Sequence, residues 1–206
     1  MLKSRKSGGG FLVAALVAVG LTAGAPVCRA GDVAYTKYHI HLQEEVSRKG
    51  EKSYQASYSG WVAPGAGHAL LPAGSAVKYD AGGKAFRKGF TLIVQDPAKA
   101  GLGNDKIFFE FDSKRMGMGE DEYARMITSP SPVALDGFSA KDREGIKDGK
   151  AYRGMTKLGV MTALGYPAAH KTPNPDKDGS WTFWKDRFRT LVVEFNSQGI
   201  VEAVRE

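Results

Sequence analysis

The stretch from Gly154 to Val204 decides the fold of the second half of this chain. It contains the segments GMTKLGVMTALGYP (154–167), WTFWKD (181–186) and LVVEFNSQGIVEAV (191–204). Thr156 predicts the start of a helix, because a threonine side chain can cap the first turn. Gly165, with Pro167 two residues later, predicts its end. The two later segments predict three strands, with a hairpin turn at 196–199.

A second helix is predicted just before this stretch. Ser139 can cap a helix from Ala140 to about Lys147, which ends at Asp148-Gly149. In the helix that Thr156 begins, the apolar residues fall on one arc and predict a buried stripe. The side chains predicted to form the core are Leu158, Val160, Met161, Leu164, Trp181, Phe183, Leu191, Val193 and Phe195.

The region before the second half is rich in predicted strands. Alternating apolar residues occur around 38–42, 53–62, 90–94 and 107–111, and Gly, Pro and Asp clusters separate them. Short strands at close spacing predict a small barrel or a twisted sheet over residues 31–115. Residues 116–138 predict a helix from Met118 to Thr128 and a proline-rich linker. Residues 139–206 form the C-terminal domain, so the predicted fold class is α+β.

The first thirty residues have the pattern of a secretory signal peptide. Lys3, Arg5 and Lys6 precede an uncharged apolar run over about 11–25, and Ala30 ends a plausible cleavage site. The run is short of the roughly 20 residues that a membrane-spanning helix needs. We therefore expect a periplasmic or secreted protein that keeps residues 31–206 and has no transmembrane segment.

Cys28 and the charge of the leader bear on anchoring and on partners. Cys28 is the only cysteine, and lipidation there is an alternative to cleavage after Ala30, although Val27 and Ala25 do not match a lipoprotein signal. Cleavage removes four basic residues and no acidic one, so the formal charge falls from +7 to +3. A chain that is exported and only weakly basic is not expected to bind nucleic acid.

Two segments resemble known bacterial families. Residues 71–79 (LPAGSAVKY) resemble a Pro-x-Gly turn of SH3-like barrels, which leads into a strand near Val77. Residues 139–204 resemble the SmpA/OmlA (BamE-like) domain of envelope proteins. The matching features are Gly154-Met155-Thr156, Val160, Leu164-Gly165-Tyr166-Pro167, Trp181-Thr182-Phe183-Trp184, Val193-Glu194-Phe195, Gly199 and Val201.

The second resemblance implies two helices with a three-stranded antiparallel sheet. It also implies an envelope protein, often a lipoprotein, that supports outer-membrane assembly or envelope integrity. This chain departs from the family because it lacks a lipoprotein signal and has a long β-rich region before the domain. A family of β-lactamase inhibitors is similar to the same helix-and-sheet fold, so the fold by itself does not separate a scaffold from an inhibitor.

The sequence contains no pattern that indicates catalysis, a cofactor or a metal. It has no Gly-x-Ser-x-Gly motif and no phosphate-binding glycine loop, and the mature chain has no thiol. His39 and His41 share one side of a predicted strand, where we expect surface histidines rather than a metal site. Residues 174–179 (NPDKDG) mimic the start of a calcium loop. Lys185 stands at the twelfth position, however, which predicts a plain turn.

A partner-binding surface is predicted on the side of the aromatic strand that carries Trp184. Trp184 should point away from the core, with Lys185 and Arg187 beside it and with Tyr166 and His170 nearby. The alternative is that a helix or the N-terminal region covers Trp184. The predicted function is non-catalytic binding or scaffolding toward another envelope protein or a cell-wall component. The alternatives are an inhibitor of an exported enzyme and an enzyme without a motif.

Overall fold

The computed structural model describes residues 31–63, 65–81 and 88–206. The predicted signal peptide and Cys28 lie outside the described residues. The fold is α+β, with a curled eight-stranded sheet, a three-stranded sheet and four helices among the described residues. We call residues 31–129 the large lobe and residues 139–206 the small lobe.

The large lobe is built on the eight-stranded sheet, whose order is β4-β2-β3-β7-β6-β5-β1-β8. The pairing of β3 with β7 is parallel and the other pairings are antiparallel. The strands are β1 (Val33–Thr36), β2 (Ile40–Val46), β3 (Lys52–Ser57), β4 (His68–Leu71), β5 (Ala76–Asp80), β6 (Gly89–Val94), β7 (Lys106–Glu110) and β8 (Thr128–Ser129).

Alternation along these strands produces the core of the large lobe. One face of the sheet carries fully buried aliphatic and aromatic side chains, including Leu42, Val77 and Leu92. Phe90 and Phe109 stack with ring centroids 4.8 Å apart. The predicted turn before Val77 is present, because the chain leaves β4 at Leu71 and enters β5 at Ala76.

Two helices close one face of this core. Helix α1 (Ser113–Met116) is capped by the Asp112 carboxylate, and α2 is Glu120–Ile127. Tyr123 and Ile127 of α2 are buried against the sheet. The chain then adds the short strand β8 to the edge of the same sheet. The first part of segment 116–138 therefore belongs to the large lobe, and residues 130–138 connect the lobes.

The small lobe contains the two helices and the three-stranded antiparallel sheet expected from the sequence. Its elements are α3 (Ala140–Asp148), α4 (Lys157–Leu164), β9 (Ser180–Trp184), β10 (Thr190–Phe195) and β11 (Val201–Arg205). Thr156 caps α4 through its hydroxyl, and Gly149 ends α3 in the left-handed conformation. Phe183 and Val193 on the inner face of the sheet are buried, as predicted.

The burial of α4 differs from the predicted single stripe. Leu158 is 59% exposed, so its predicted core position is wrong. Every residue from Gly159 to Leu164 is buried instead. The reason is that α4 lies between the small-lobe sheet on one side and the N-terminal part of β2 on the other. A helix covered on both sides is buried on most of its circumference.

A buried carboxylate joins the beginnings of α3 and α4. Asp142 is 1% exposed and accepts hydrogen bonds from the Ser139 hydroxyl at 2.8 Å and the Thr156 backbone N–H at 2.7 Å. Its own N–H is bound by the Ser139 hydroxyl, which completes a capping box. One side chain therefore satisfies donors at the N-termini of both helices.

The contact between the two helices requires glycine at position 159. A Cβ built on Gly159 would overlap the Asp142 carboxylate and would come within 2.9 Å of the Asp142 Cβ. The carboxylate cannot move aside without losing its bonds to Ser139 and Thr156.

We predict that Gly159→Ala lowers the free energy of unfolding by about 1–3 kcal/mol, as overpacking does. Helix propensity acts in the opposite direction, because alanine is favoured over glycine by about 1 kcal/mol. Urea denaturation measures the difference. Gly137→Ala is the matched control, because no atom lies within 4 Å of its added Cβ. A stabilised Gly159→Ala protein would contradict the packing argument.

Candidate functional site

The five residues predicted for a partner-binding surface do not form one patch. Tyr166 lies between the lobes, half-buried, and packs against the cores of both. Burial raises the pKa of its phenol. A position in the contact between the lobes is consistent with a packing role for this residue.

His170 and Trp184 both approach the segment that follows β3. The His170 ring lies 6.2 Å from the Tyr58 ring, and burial lowers the pKa of its imidazole. Trp184 donates its backbone N–H to the Ser59 carbonyl and accepts from the Val62 N–H at 2.8 Å. Residues 59–63 thus continue the small sheet beyond β9.

This extra pairing partly covers Trp184. The residue is half-buried, and its indole Nε1 is buried with no hydrogen-bond partner among the described residues. The N-terminal region therefore lies beside Trp184, as in the alternative stated above. Trp181 also has a buried indole, but it donates to the Pro175 carbonyl at 2.9 Å.

Lys185 and Arg187 have different surroundings. Side chains alternate along a strand, so Lys185 points to the side opposite Trp184. Its side chain is only 13% exposed and forms an ion pair of 2.6 Å with Glu206. Arg187 is exposed in the turn between β9 and β10. Of the predicted residues, Arg187 and His170 are the two that are exposed to solvent.

The turn that carries Arg187 also presents Phe188, which the sequence reasoning missed. Phe188 is 87% exposed, the highest exposure of any large hydrophobic residue described. Asp186 fixes the turn, since its carboxylate accepts the N–H groups of Phe188 and Arg189 at 2.8 and 2.9 Å. It also pairs with the Arg189 guanidinium. We call residues 185–189 the hairpin tip. An aromatic residue between two arginines, placed between two predicted strands, was the available signal.

The two strand histidines are buried, so the expectation of surface histidines is wrong. His39 is 6% and His41 is 3% exposed, because α4 and the end of α3 pack over them. His39 Nε2 lies 2.7 Å from the Ile146 carbonyl, and His41 Nε2 lies 2.9 Å from the Ala163 carbonyl. These carbonyls belong to the last turns of α3 and α4, where donors from the helix itself run out. The Ile146 carbonyl also accepts the Gly149 N–H at 3.1 Å, so His39 is its second donor.

The partners of the rings fix their tautomers. A carbonyl accepts only, so both Nε2 atoms carry protons. His39 Nδ1 accepts the Ala73 backbone N–H at 2.7 Å. His41 Nδ1 faces His68 Nε2 at 2.9 Å and must therefore accept from it. Both rings are neutral, with one nitrogen bound to each lobe.

Burial of these rings opposes protonation. It lowers the pKa of His41 to about 3, and the neighbouring His68 acts in the same direction. Burial also lowers the pKa of His39. A proton added at either Nδ1 would remove the acceptor that the Ala73 N–H or His68 uses. The pair is suited to joining the lobes, and not to proton transfer with a substrate.

The segment that resembled a calcium loop contains a cation supplied by the chain itself. Lys157 Nζ donates to the carbonyls of Pro175, Asp176 and Asp178 at 2.8, 3.0 and 2.8 Å. The ammonium also lies 5.6 Å from the Trp181 ring centroid, within the range of a cation–π interaction. The predicted turn is present, and its carbonyls converge on a lysine.

The cavity that both buried histidines line at the lobe contact is small. It has a volume of about 30 Å³ and is lined by Tyr38, Tyr123, Tyr166 and both buried histidines. Burial raises the pKa of Tyr38 and Tyr123. This volume holds little more than a water molecule or two, so these tyrosines do not form a substrate pocket.

Searches against family models, curated proteins and solved structures found no match for this chain. Within residues 31–63, 65–81 and 88–206, no helix has the length and apolar character to cross a membrane. The same residues contain no group of three or more His, Cys, Asp or Glu side chains arranged to hold a metal ion.

We predict that the protein loses stability as the pH falls from 7 to 5. The unfolded histidine titrates near pH 6.5 and folded His41 near 3, so the unfolded state binds more protons across this window. His41 alone should account for a loss of about 2 kcal/mol between these pH values. His39 should add to it, because its pKa is lowered too. Urea unfolding at each pH provides the measurement.

His41→Gln should flatten this pH dependence by a comparable amount, whatever its effect at pH 7. The control is His170→Gln. The His170 ring has no hydrogen bond to the described residues, so this substitution should change the pH dependence of stability less. If the two variants change the pH dependence equally, the buried rings are not its source.

We predict that Lys157→Met destabilises the small lobe by about 1–3 kcal/mol, since three carbonyls lose their donor. Amide hydrogen exchange around 174–178 should become faster. Lys177→Met is the matched control, because Lys177 is exposed in the same loop. Unchanged exchange in the Lys157 variant would mean that the ammonium does not hold the loop.

Proposed function

We propose that this chain is a non-catalytic binding protein of the bacterial cell envelope, and that it contacts its partner through the hairpin tip. The observation that carries the proposal is Phe188, which is 87% exposed in a turn that Asp186 holds in one conformation. Exposing an aromatic ring to water costs free energy, which burial in a partner would recover.

The chemistry of the tip indicates the kind of partner. Arg187 is exposed and forms no ion pair with a described residue, whereas Arg189 is paired with Asp186. Arg187 can therefore form a new ion pair beside Phe188. Aromatic and arginine side chains are the residues that most often dominate binding energy at interfaces. We expect a protein partner with an apolar slot and an acidic rim. The rigid turn lowers the entropy that binding must overcome.

The assignment to the envelope rests on the sequence. Residues 1–30 read as a signal peptide, and residues 139–204 resemble the SmpA/OmlA domain of envelope proteins. The helix pair and the three-stranded sheet have the element order that this resemblance implies. The Pro-x-Gly turn and β5 are consistent with the resemblance of residues 71–79 to SH3-like barrels. A role in the envelope, near other exported proteins or the cell wall, follows as part of the proposal.

The buried ionisable groups support a non-catalytic role. His39, His41 and Asp142 are all bound to the backbone or to capping groups. These side chains are therefore not available to contact a substrate. Inhibition of an exported enzyme is the second candidate, because a fixed loop with a projecting aromatic residue can enter a concave active site. Loss of the enzyme's activity on addition of the protein would distinguish this role.

We predict that Phe188→Ala and Arg187→Glu abolish partner capture without loss of stability. Photo-crosslinking from position 188 in envelope extract should yield a defined product, and either substitution should remove that partner from a pull-down. Leu158→Ala is the control, because Leu158 is 59% exposed on a different element. If all three variants recover the same proteins at the same yield, the hairpin tip is not the binding surface.

A further inference from the structure

A surface pocket of about 290 Å³ opens between the lobes, next to the buried histidines. Its volume is at the lower end of the range for small-molecule sites, which favour domain boundaries. We call it the interlobe pocket. Its apolar lining includes Val62, Leu164, Leu191 and Val204, and the charged or titratable groups around it are His68, Asp148, Lys150, Tyr152, Lys185 and Glu206.

The orientation of His68 at this pocket is fixed by His41. Because His41 Nε2–H is used by the Ala163 carbonyl, His41 Nδ1 is an acceptor and His68 Nε2 carries the proton between the rings. The other nitrogen of His68, Nδ1, has no hydrogen-bond partner among the described residues. His41 therefore acts as a positioning residue for His68.

His68 differs from the two buried histidines in what a second proton would do. Protonation at Nδ1 leaves the bond from Nε2–H to His41 intact, whereas protonation of His39 or His41 removes an acceptor already in use. His68 is also exposed. It can therefore become a charged donor at the pocket without any change in the contact between the lobes.

The other charged side chains at the rim balance, so a proton on His68 sets the sign of the charge there. Lys185 is paired with Glu206 at 2.6 Å, and the Asp148 carboxylate accepts the Tyr152 hydroxyl at 3.0 Å. Lys150 is exposed and forms no ion pair with a described residue. With two lysines against two carboxylates, a protonated His68 would leave one positive charge unmatched.

We propose that the interlobe pocket binds a monocarboxylate with a short apolar chain. The carboxylate accepts from His68 Nδ1–H and from Lys150, and the chain covers the apolar lining. Binding is accompanied by uptake of one proton on His68, since a neutral ring with Nε2–H has no donor at Nδ1. This site shares only Lys185, which is paired with Glu206, with the hairpin tip, and it does not depend on the proposed function.

Hexanoate is the probe, and NMR of the histidine side chains is the measurement. Hexanoate should bind saturably to the mature chain, raise the pKa of His68, and bind more tightly as the pH falls from 8 to 6. Hexylamine and hexanol, which have the same chain without the carboxylate, should bind at least about tenfold more weakly. Equal binding of all three, or no binding of hexanoate, would overturn the proposal.

Two variants separate the roles of the cations. His68→Gln keeps an amide that can donate to His41, and it should weaken hexanoate binding about tenfold and remove its pH dependence. Lys150→Met should weaken binding severalfold and keep the pH dependence, and its exposed site gives little risk to folding. Unchanged affinity and pH dependence in His68→Gln would exclude the assigned role.

The source of the carboxylate can be tested in the same assay. N-Acetylleucine carries the carboxylate on a peptide-like apolar group, whereas hexanoate carries it on a linear chain. Tighter binding of the first would indicate the C-terminus of a peptide, and tighter binding of the second would indicate a short fatty acid.

Discussion

The arrangement of the two lobes depends on hydrogen bonds from two histidines to the C-terminal carbonyls of α3 and α4. A helix end inside a protein needs donors that the helix itself cannot supply. His39 provides two of them, from its ring to Ile146 and from its backbone N–H to Thr162 at 2.8 Å, and His41 provides one to Ala163. Because each of these donors comes from the large lobe, the Thr162 and Ala163 carbonyls of α4 gain their donors when the lobes are in contact. The Ile146 carbonyl of α3 also accepts the Gly149 N–H from its own lobe.

These hydrogen bonds define how the two hydrophobic cores of the fold are joined. The buried residues form one cluster in the large sheet and another around the small sheet. Tyr38 and Tyr166 contact both clusters, but the directional bonds are polar. Apolar packing alone tolerates sliding of one surface over another, whereas short hydrogen bonds with fixed tautomers allow one register. The pairing of residues 59–63 with β9 has the same directional effect.

The sequence predicted the features that depend on neighbouring residues. The caps at Ser139 and Thr156 and the ends at Gly149 and Gly165 are all local, and each was found in the structure. Leu158 and the strand histidines were misjudged because their burial depends on residues about one hundred positions away. The proposed surface divided for a local reason, since Trp184 is the last residue of β9 and Lys185 follows it directly. Phe188 was overlooked because a turn has no periodicity to reveal it.

The ammonium of Lys157, which the carbonyls of the 174–178 loop surround, affects the conditions under which this domain remains folded. Loops whose carbonyls surround calcium are ordered only while the ion is present, and they respond to chelators and to competing ions. Here the positive charge is part of the chain, so its local concentration is constant and it cannot be removed by dialysis. The aromatic strand beside the loop therefore has a support that is independent of the ionic composition of the surroundings.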